Sequence, residues 1–176
     1  MSNITLGIIG GGQLGSMLAI AAKKLGIKII IFCDDLEAPA QNFCDEFIGA
    51  KYEDKEKINE FVNKVDIVTY EFENIPYETL NEINKLKPVL PKPSVNRLIQ
   101  HRLAEKDFVN KLNIRTTRYV SVENQSDIDV LEDFLPGIIK TTTLGYDGKG
   151  QHPISSAEEL KNLKFDLSRG YILEKL

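Results

Sequence analysis

Apolar positions along the first ninety residues alternate between strand-like runs and helical spacing. Thr5-Leu6-Gly7-Ile8-Ile9 is a short apolar run that ends in glycines. From Gln13 to Leu25 the residues Leu14, Leu18, Ala21, Ala22 and Leu25 recur at helical spacing, which predicts a helix. Ile27 to Phe32 is β-branched and predicts a second strand, and Glu46 to Ala50 a third. Lys55 to Val65 carries Ile58, Phe61, Val62 and Val65 on one face of another helix. Asp66 to Tyr70 reads as a strand, followed by the acidic loop Glu71-Phe72-Glu73-Asn74. Pro76 stands where a helix starts readily, and Tyr77 to Leu86 continues it. Such alternation implies an α/β fold, a Rossmann-like parallel sheet with helices on both faces.

The pattern changes at Pro88 to Pro93, where three prolines fall within six residues and predict a linker or an ordered extended crossing. We therefore divide the chain into a first domain at 1–92 and a second at 93–176. Ser94 is read as the N-cap of a helical stretch that breaks near His101-Arg102 and resumes through Leu112. Tyr119 to Val122 and Gly137 to Thr142 read as strands around a helix at about Ser126 to Phe134. Gln151 to Ile154 reads as a returning strand, Ser155 to Leu163 as a helix and Tyr171 to Leu176 as a last strand. The chain stops inside that strand with no closing turn, so it is expected to be the front part of something longer. The last strand is then expected to leave an unpaired edge open to aggregation or to a missing piece.

Length and composition narrow the class. One good domain or two small ones fit in 176 residues, and 42% apolar with 27% charged residues is an ordinary globular balance. A net charge of -4 argues against a general nucleic-acid binder. No apolar run approaches the roughly 18–20 residues that span a bilayer. The N-terminus lacks a basic leader, and Gly10-Gly11-Gly12 interrupts its apolar segment, so a cytoplasmic protein is expected. Cys33 and Cys44 are too few for a disulfide framework or a zinc site and are expected to be reduced, packed thiols.

The chemistry concentrates in loops. Gly145-Tyr146-Asp147-Gly148-Lys149-Gly150-Gln151 sets three glycines within six residues, five residues after Lys140. Backbone N–H groups of such a loop can close over phosphate oxygens through φ > 0 conformations. Lys140 ends the apolar run Gly137-Ile138-Ile139, so a nucleotide clamp and a plain polar hairpin are both compatible with the residues. Gly10-Gly11-Gly12-Gln13-Leu14-Gly15 fits G-x-G-x-x-G between a predicted strand and helix. It could seat a dinucleotide pyrophosphate, with Asp34 or Asp35 on the ribose; it could hold another ligand; or it could only let strand and helix pack closely. Glu71, Glu73 and Asn74 lie at the C-terminal end of a strand, where open α/β sheets place ligand loops; they could hold sugar hydroxyls or form a solvated acidic loop. Arg102 and Lys106, four residues apart, share one helix face; they could reach a phosphate or be solvated, and spacing alone favours the solvated reading. His101 and His152 stand in no recognisable catalytic arrangement.

Taken together, these motifs resemble the 5-(carboxyamino)imidazole ribonucleotide synthase family of ATP-grasp ligases. The resemblance runs through most of the chain. Ile8 to Gly15 followed by Met17-Leu18 is similar to the family's opening motif, including Gln13, which dinucleotide binders do not need. Ala38-Pro39-Ala40, Tyr70-Glu71-Phe72-Glu73-Asn74-Ile75-Pro76, Arg102 with Lys106, and the flap Gly145 to Gln151 follow in the family's order.

The resemblance implies a preATP-grasp domain and then the first part of an ATP-grasp domain. It also implies a reaction: ATP phosphorylates bicarbonate to carboxyphosphate, and the amine of 5-aminoimidazole ribonucleotide takes the carboxyl group. By the family pattern Arg102, Lys140 and the loop Gly145, Tyr146, Asp147, Gly148, Lys149, Gly150 and Gln151 bind ATP. Glu174, Lys175 and Leu176 begin the hinge strand beside adenine and ribose. Gln13, Leu14, Glu71, Glu73 and Asn74 lie on the side of the imidazole nucleotide. Tyr146, Asp147 and Lys149 are the catalytic candidates, with Asp147 as general base. The magnesium ligands are expected in the later part of the ATP-grasp domain, so no metal-ligating residue is assigned here and no activity is expected of this chain alone. A homodimer is implied for the whole protein. Two rival readings are an NAD(P)-binding oxidoreductase domain, which leaves Lys140 and the second glycine loop unexplained, and a non-catalytic relic.

Overall fold

Strand β1 (Thr5–Ile9) is the hub of the first sheet. Helix α1 (Gln13–Lys24) follows it, then β2 (Lys28–Cys33), a 3-10 turn at Pro39–Phe43, β3 (Glu46–Gly49), α2 (Lys55–Lys64), β4 (Ile67–Tyr70) and α3 (Tyr77–Leu86). The strands are all parallel, in the order β3-β2-β1-β4. This is a computed structural model, and it describes residues 4–123, 131–145, 148–164, 166 and 170–176. The chain divides into two compact units, Met1–Arg97 and Leu98–Leu176.

Alternation along the strands sorts the first core into two layers. Ile9, Ile30, Phe32, Ile48 and Val68 pack against Ile58, Phe61, Val62, Leu80 and Ile83 of α2 and α3. Ile8, Ile29, Ile31 and Cys33 face the other way, onto Ala19, Ala22, Ala38 and Ala40. Helices therefore cover both faces, as the alternating pattern implies. Asp54 caps α2 by accepting from the N–H groups of Glu56 and Lys57. Cys33 is buried, Cys44 is half-buried, and neither is in a disulfide.

Helix α4 (Pro93–Ile99) begins at its proline, so Ser94 lies inside the first turn and is not the N-cap. Proline suits the first helical position, because its missing N–H would have had no partner there. Helix α5 (Arg102–Lys111) is capped by His101, whose Nδ1 accepts from the Ala104 N–H at 3.4 Å. Strand β5 (Tyr119–Val122), a 3-10 turn at Glu132–Phe134, β6 (Gly137–Thr141), β7 (Gln151–Ile154), α6 (Ala157–Asn162) and β8 (Tyr171–Lys175) complete the second unit. Residues 126–130 of the helix expected up to Phe134 lie outside the described residues.

The second sheet is antiparallel, in the order β5-β8-β6-β7. This corrects the expectation of an open edge at Tyr171 to Leu176. Strand β8 is interior, bonded to β5 on one side and β6 on the other, and Ile172 and Leu173 are fully buried. Position in the chain does not fix position in a sheet; the continuous apolar run Tyr171-Ile172-Leu173 suits a strand covered on both sides.

Candidate functional site

In the first unit the register places two loops side by side. Ile9 pairs with Tyr70, so the chain leaves β1 and β4 at the same carboxyl edge. Connections from β1 run to β2 on one side, while β4 lies on the other, which makes this edge a topological switch point. The Glu71 Oε1 accepts from the Gly12 N–H at 2.9 Å. The same carboxylate lies against Gly10, whose φ of +99° suits a residue without a side chain and where an added Cβ would meet Oε1 at 2.7 Å. An added Cβ on Gly15 would meet the Gly10 carbonyl at 2.9 Å, so close strand-to-helix packing is also built in.

A protein carboxylate thus occupies the glycine loop, where a dinucleotide fold would seat its pyrophosphate. Gln13 and Leu14 open α1 in exposed positions. Glu73 and Asn74 are half-buried, and the fully buried Asn96 holds the loop by donating from Nδ2 to the Glu73 carbonyl at 2.9 Å. Asp35 accepts from the Glu37 N–H at 2.9 Å, an ordinary turn contact.

In the second unit the chemistry gathers on the sheet face opposite the core residues Ile139 and Leu173. Glu174 stands opposite Ile138 and Lys140 opposite Ile172, so the two charged side chains are diagonal neighbours. Lys140 Nζ donates to Glu174 Oε2 at 2.7 Å. Lys106 Nζ, from α5, approaches the other oxygen, Oε1, at 3.1 Å and sits 5.3 Å from the centre of the Tyr119 ring. Burial pushes the Glu174 carboxyl up, but hydrogen bonds and charge from Lys140 and Lys106 outweigh it, and the group lies below the ordinary glutamate value. Arg102, one turn before Lys106, donates from Nε to the Thr141 carbonyl at 3.4 Å and from Nη2 to the Gly145 carbonyl at 3.2 Å.

Arg102 and Lys106 are therefore engaged, correcting the expectation that both are solvated. The β6 and β8 strands present carbonyls and a carboxylate to that helix face, and pairing there offsets the loss of water. The glycine loop is pinned at its base, where the Thr141 N–H donates to the Gly150 carbonyl at 2.8 Å. Gly148 and Gly150 have φ of +79° and +71°, so the expected left-handed backbone is present. Lys149 and Gln151 are exposed, and Tyr146 and Asp147 lie outside the described residues. Lys175 donates its N–H to the Arg118 carbonyl and Leu176 its N–H to that of Pro136.

Compared with known proteins, residues 3–100 match the ribonucleotide synthetase preATP-grasp domain. The chain belongs to that family. Residues 107–176 match the ATP-grasp domain, so a preATP-grasp unit is followed by the start of an ATP-grasp fold. The chain is 38% identical over 159 residues to the N5-carboxyaminoimidazole ribonucleotide synthase of Staphylococcus aureus strain COL, covering 89% of this chain and 42% of that protein. It is 39% identical over 159 residues to the bifunctional purine synthesis protein purC/E of Dictyostelium discoideum, covering 89% of this chain and 16% of that one. The crystal structure of N5-carboxyaminoimidazole synthetase from Staphylococcus aureus complexed with ADP superimposes with a TM-score of 0.90 at 34% identity, over 99% of this chain and 48% of that chain. The chain thus spans less than half the length of these relatives.

Within the preATP-grasp and ATP-grasp frame, Lys106 and Thr141 are the residues that sequence reasoning left out of the site. The helical spacing of Arg102 and Lys106 was the available signal for the first. Nothing in the sequence pointed to Thr141, whose part comes from backbone contacts.

Proposed function

We propose that this chain carries the nucleotide-binding and substrate-binding residues of an ATP-dependent carboxylation of 5-aminoimidazole ribonucleotide in purine biosynthesis. The observation that carries the reading is the meeting of Lys140 and Lys106 on one buried carboxylate, with Arg102 bonded to the base of the adjoining glycine loop. Two lysines share one carboxylate and Arg102 is bonded to neutral carbonyls, which leaves a surplus of positive charge for a polyphosphate. Phosphoryl transfer depends on such charge and on closure against water, and the loop 145–151 is suited to both. The ADP-bound relative supports the same choice.

In this reading Arg102, Lys140, Gly145, Gly148, Lys149, Gly150 and Gln151 hold the phosphates of ATP, and Glu174, Lys175 and Leu176 begin the strand beside adenine and ribose. Gln13, Leu14, Glu71, Glu73 and Asn74 take the imidazole nucleotide. Bicarbonate takes the terminal phosphoryl group of ATP, releasing ADP; the amine attacks the carboxyl carbon of the resulting carboxyphosphate, phosphate leaves, and Asp147 takes the amine proton, with Tyr146 and Lys149 as the further catalytic candidates. Among the described residues no group of three or more His, Cys, Asp or Glu could hold a metal, and the Mg2+ ligands are proposed to belong to the later part of an ATP-grasp domain. The proposed domain boundary lies at 92/93, in the proline-rich crossing and five residues before the division between the two compact units.

We assign the protein to the cytoplasm, a choice supported by the finding that no helix among the described residues is long and apolar enough to cross a membrane. A homodimer is the proposed assembly, supported by the exposed apolar side chains Met17 and Ile20 of α1 and Leu25 at its C-cap. Calorimetric titration of the chain with ADP, 5-aminoimidazole ribonucleotide and NADH tests the functional reading. Binding of the first two and none of NADH is expected; micromolar NADH binding without ADP binding would overturn it.

A further inference from the structure

We propose that Lys106 is a positioning residue that keeps Glu174 compensated while Lys140 turns from it to an anion. The inference rests on the nucleotide reading above and deepens it.

Glu174 is only 7% exposed, and its two oxygens are divided between two lysines on different elements. Lys140, from β6, donates a hydrogen bond to Oε2 at 2.7 Å, and Lys106, from α5, makes an ion pair with the buried Oε1 at 3.1 Å without a hydrogen bond to it. Tyr119 of β5 is the register partner of Glu174 on its other side, and its hydroxyl donates to Asp107 at 2.6 Å, away from the carboxylate. Among the described residues, Glu174 thus has Ile138 and Tyr119 as its register partners and Lys140 and Lys106 as its cations.

A buried carboxylate that loses its only cation carries an uncompensated desolvation cost. If Lys140 were the sole partner, a phosphate could recruit it only by stranding Glu174. Lys106 removes that conflict. It is fixed between the carboxylate and the Tyr119 ring and lies on the oxygen that Lys140 does not use. Its side chain is 15% exposed, so it is itself largely withdrawn from solvent. The lysine pair therefore divides the work: Lys106 has the Tyr119 ring as a second partner, whereas Lys140 has the shorter bond to the carboxylate and no ring contact among the described residues.

The test is a double-mutant cycle on the chain, reading the dissociation constants of ADP and of inorganic tripolyphosphate by calorimetry. Lys106→Met is expected to weaken both by roughly three- to tenfold, Lys106→Arg to restore most of the loss, and Lys106→Met to have no further effect in a Glu174→Gln background. The same loss in both backgrounds would show that Lys106 acts on the anion directly and would overturn the proposal. A lowered melting temperature with unchanged affinity would overturn it too, leaving a packing role. Tripolyphosphate binding without ADP binding would remove the adenine-nucleotide reading while leaving the cycle readable; binding of neither would overturn both.

Discussion

Glu71 and Gly12 are 59 residues apart in the chain, yet the carboxylate of one accepts the backbone N–H of the other at 2.9 Å. The contact ties the loop after β4 to the N-terminus of α1, where a negative charge is favoured by the unpaired N–H groups of the first turn. Glu71→Ala should destabilise the first unit by about 1 kcal/mol, the scale of a lost helix cap. Glu71→Gln keeps an acceptor and should lose less. Urea denaturation of the three proteins checks this; equal midpoints would show that the contact carries no stability.

Lys140 has the shortest ion pair to Glu174 and an anion would compete for it. Lys140→Ala should weaken ADP binding about tenfold, equivalent to about 1.4 kcal/mol. In an enzyme carrying a complete ATP-grasp domain it should raise the apparent ATP requirement. A nucleotide dependence like that of wild type would take Lys140 out of the site.

Glu174 sets a pH dependence whose sign follows from its environment. Its folded carboxyl lies below the ordinary glutamate value of 4.5, so the unfolded chain binds the proton more readily. The contribution is complete above that ordinary value and is lost as pH falls through it towards the folded one. Glu60 is also lowered, to about 2, by hydrogen bonds from Lys57 and Lys64, but that network is exposed and salt screens it. Asp45 is lowered as well, chiefly by the Ile29 N–H it accepts, so Glu174 is isolated by comparing wild type with Glu174→Gln in high salt, where the substitution should flatten the acid limb. An unchanged limb would mean that the two lysines do not hold the carboxylate ionised.

The parallel unit was legible because each element writes its own period: Phe61 and Val62 mark the buried face of α2, and Ile29 to Phe32 a strand covered on both sides. Relationships between distant residues were not. Glu174 reads as one polar residue in an apolar strand, and only the antiparallel register places it diagonal to Lys140. Helical spacing put Arg102 and Lys106 on one face but could not say what that face meets. The same limit produced the wrong edge assignment for β8, since strand order is set by long-range pairing that local pattern does not contain.

Gly150 gives the glycine loop a sharp test. Its φ is +71°, and an added Cβ would stand 2.6 Å from Thr141 Oγ1, beside the strand that carries Lys140. Gly26 has a similar φ of +72° with nothing within 4 Å of its added Cβ. Both glycine-to-alanine changes force an alanine into the left-handed region, which costs about 1–2 kcal/mol. Gly150→Ala adds the clash, so it should cost about 1–3 kcal/mol more than Gly26→Ala in urea denaturation. Thr141→Ala placed on top of Gly150→Ala should recover part of that difference, because it removes the colliding hydroxyl. Equal costs at the two glycines would mean that the loop base is not packed against Thr141.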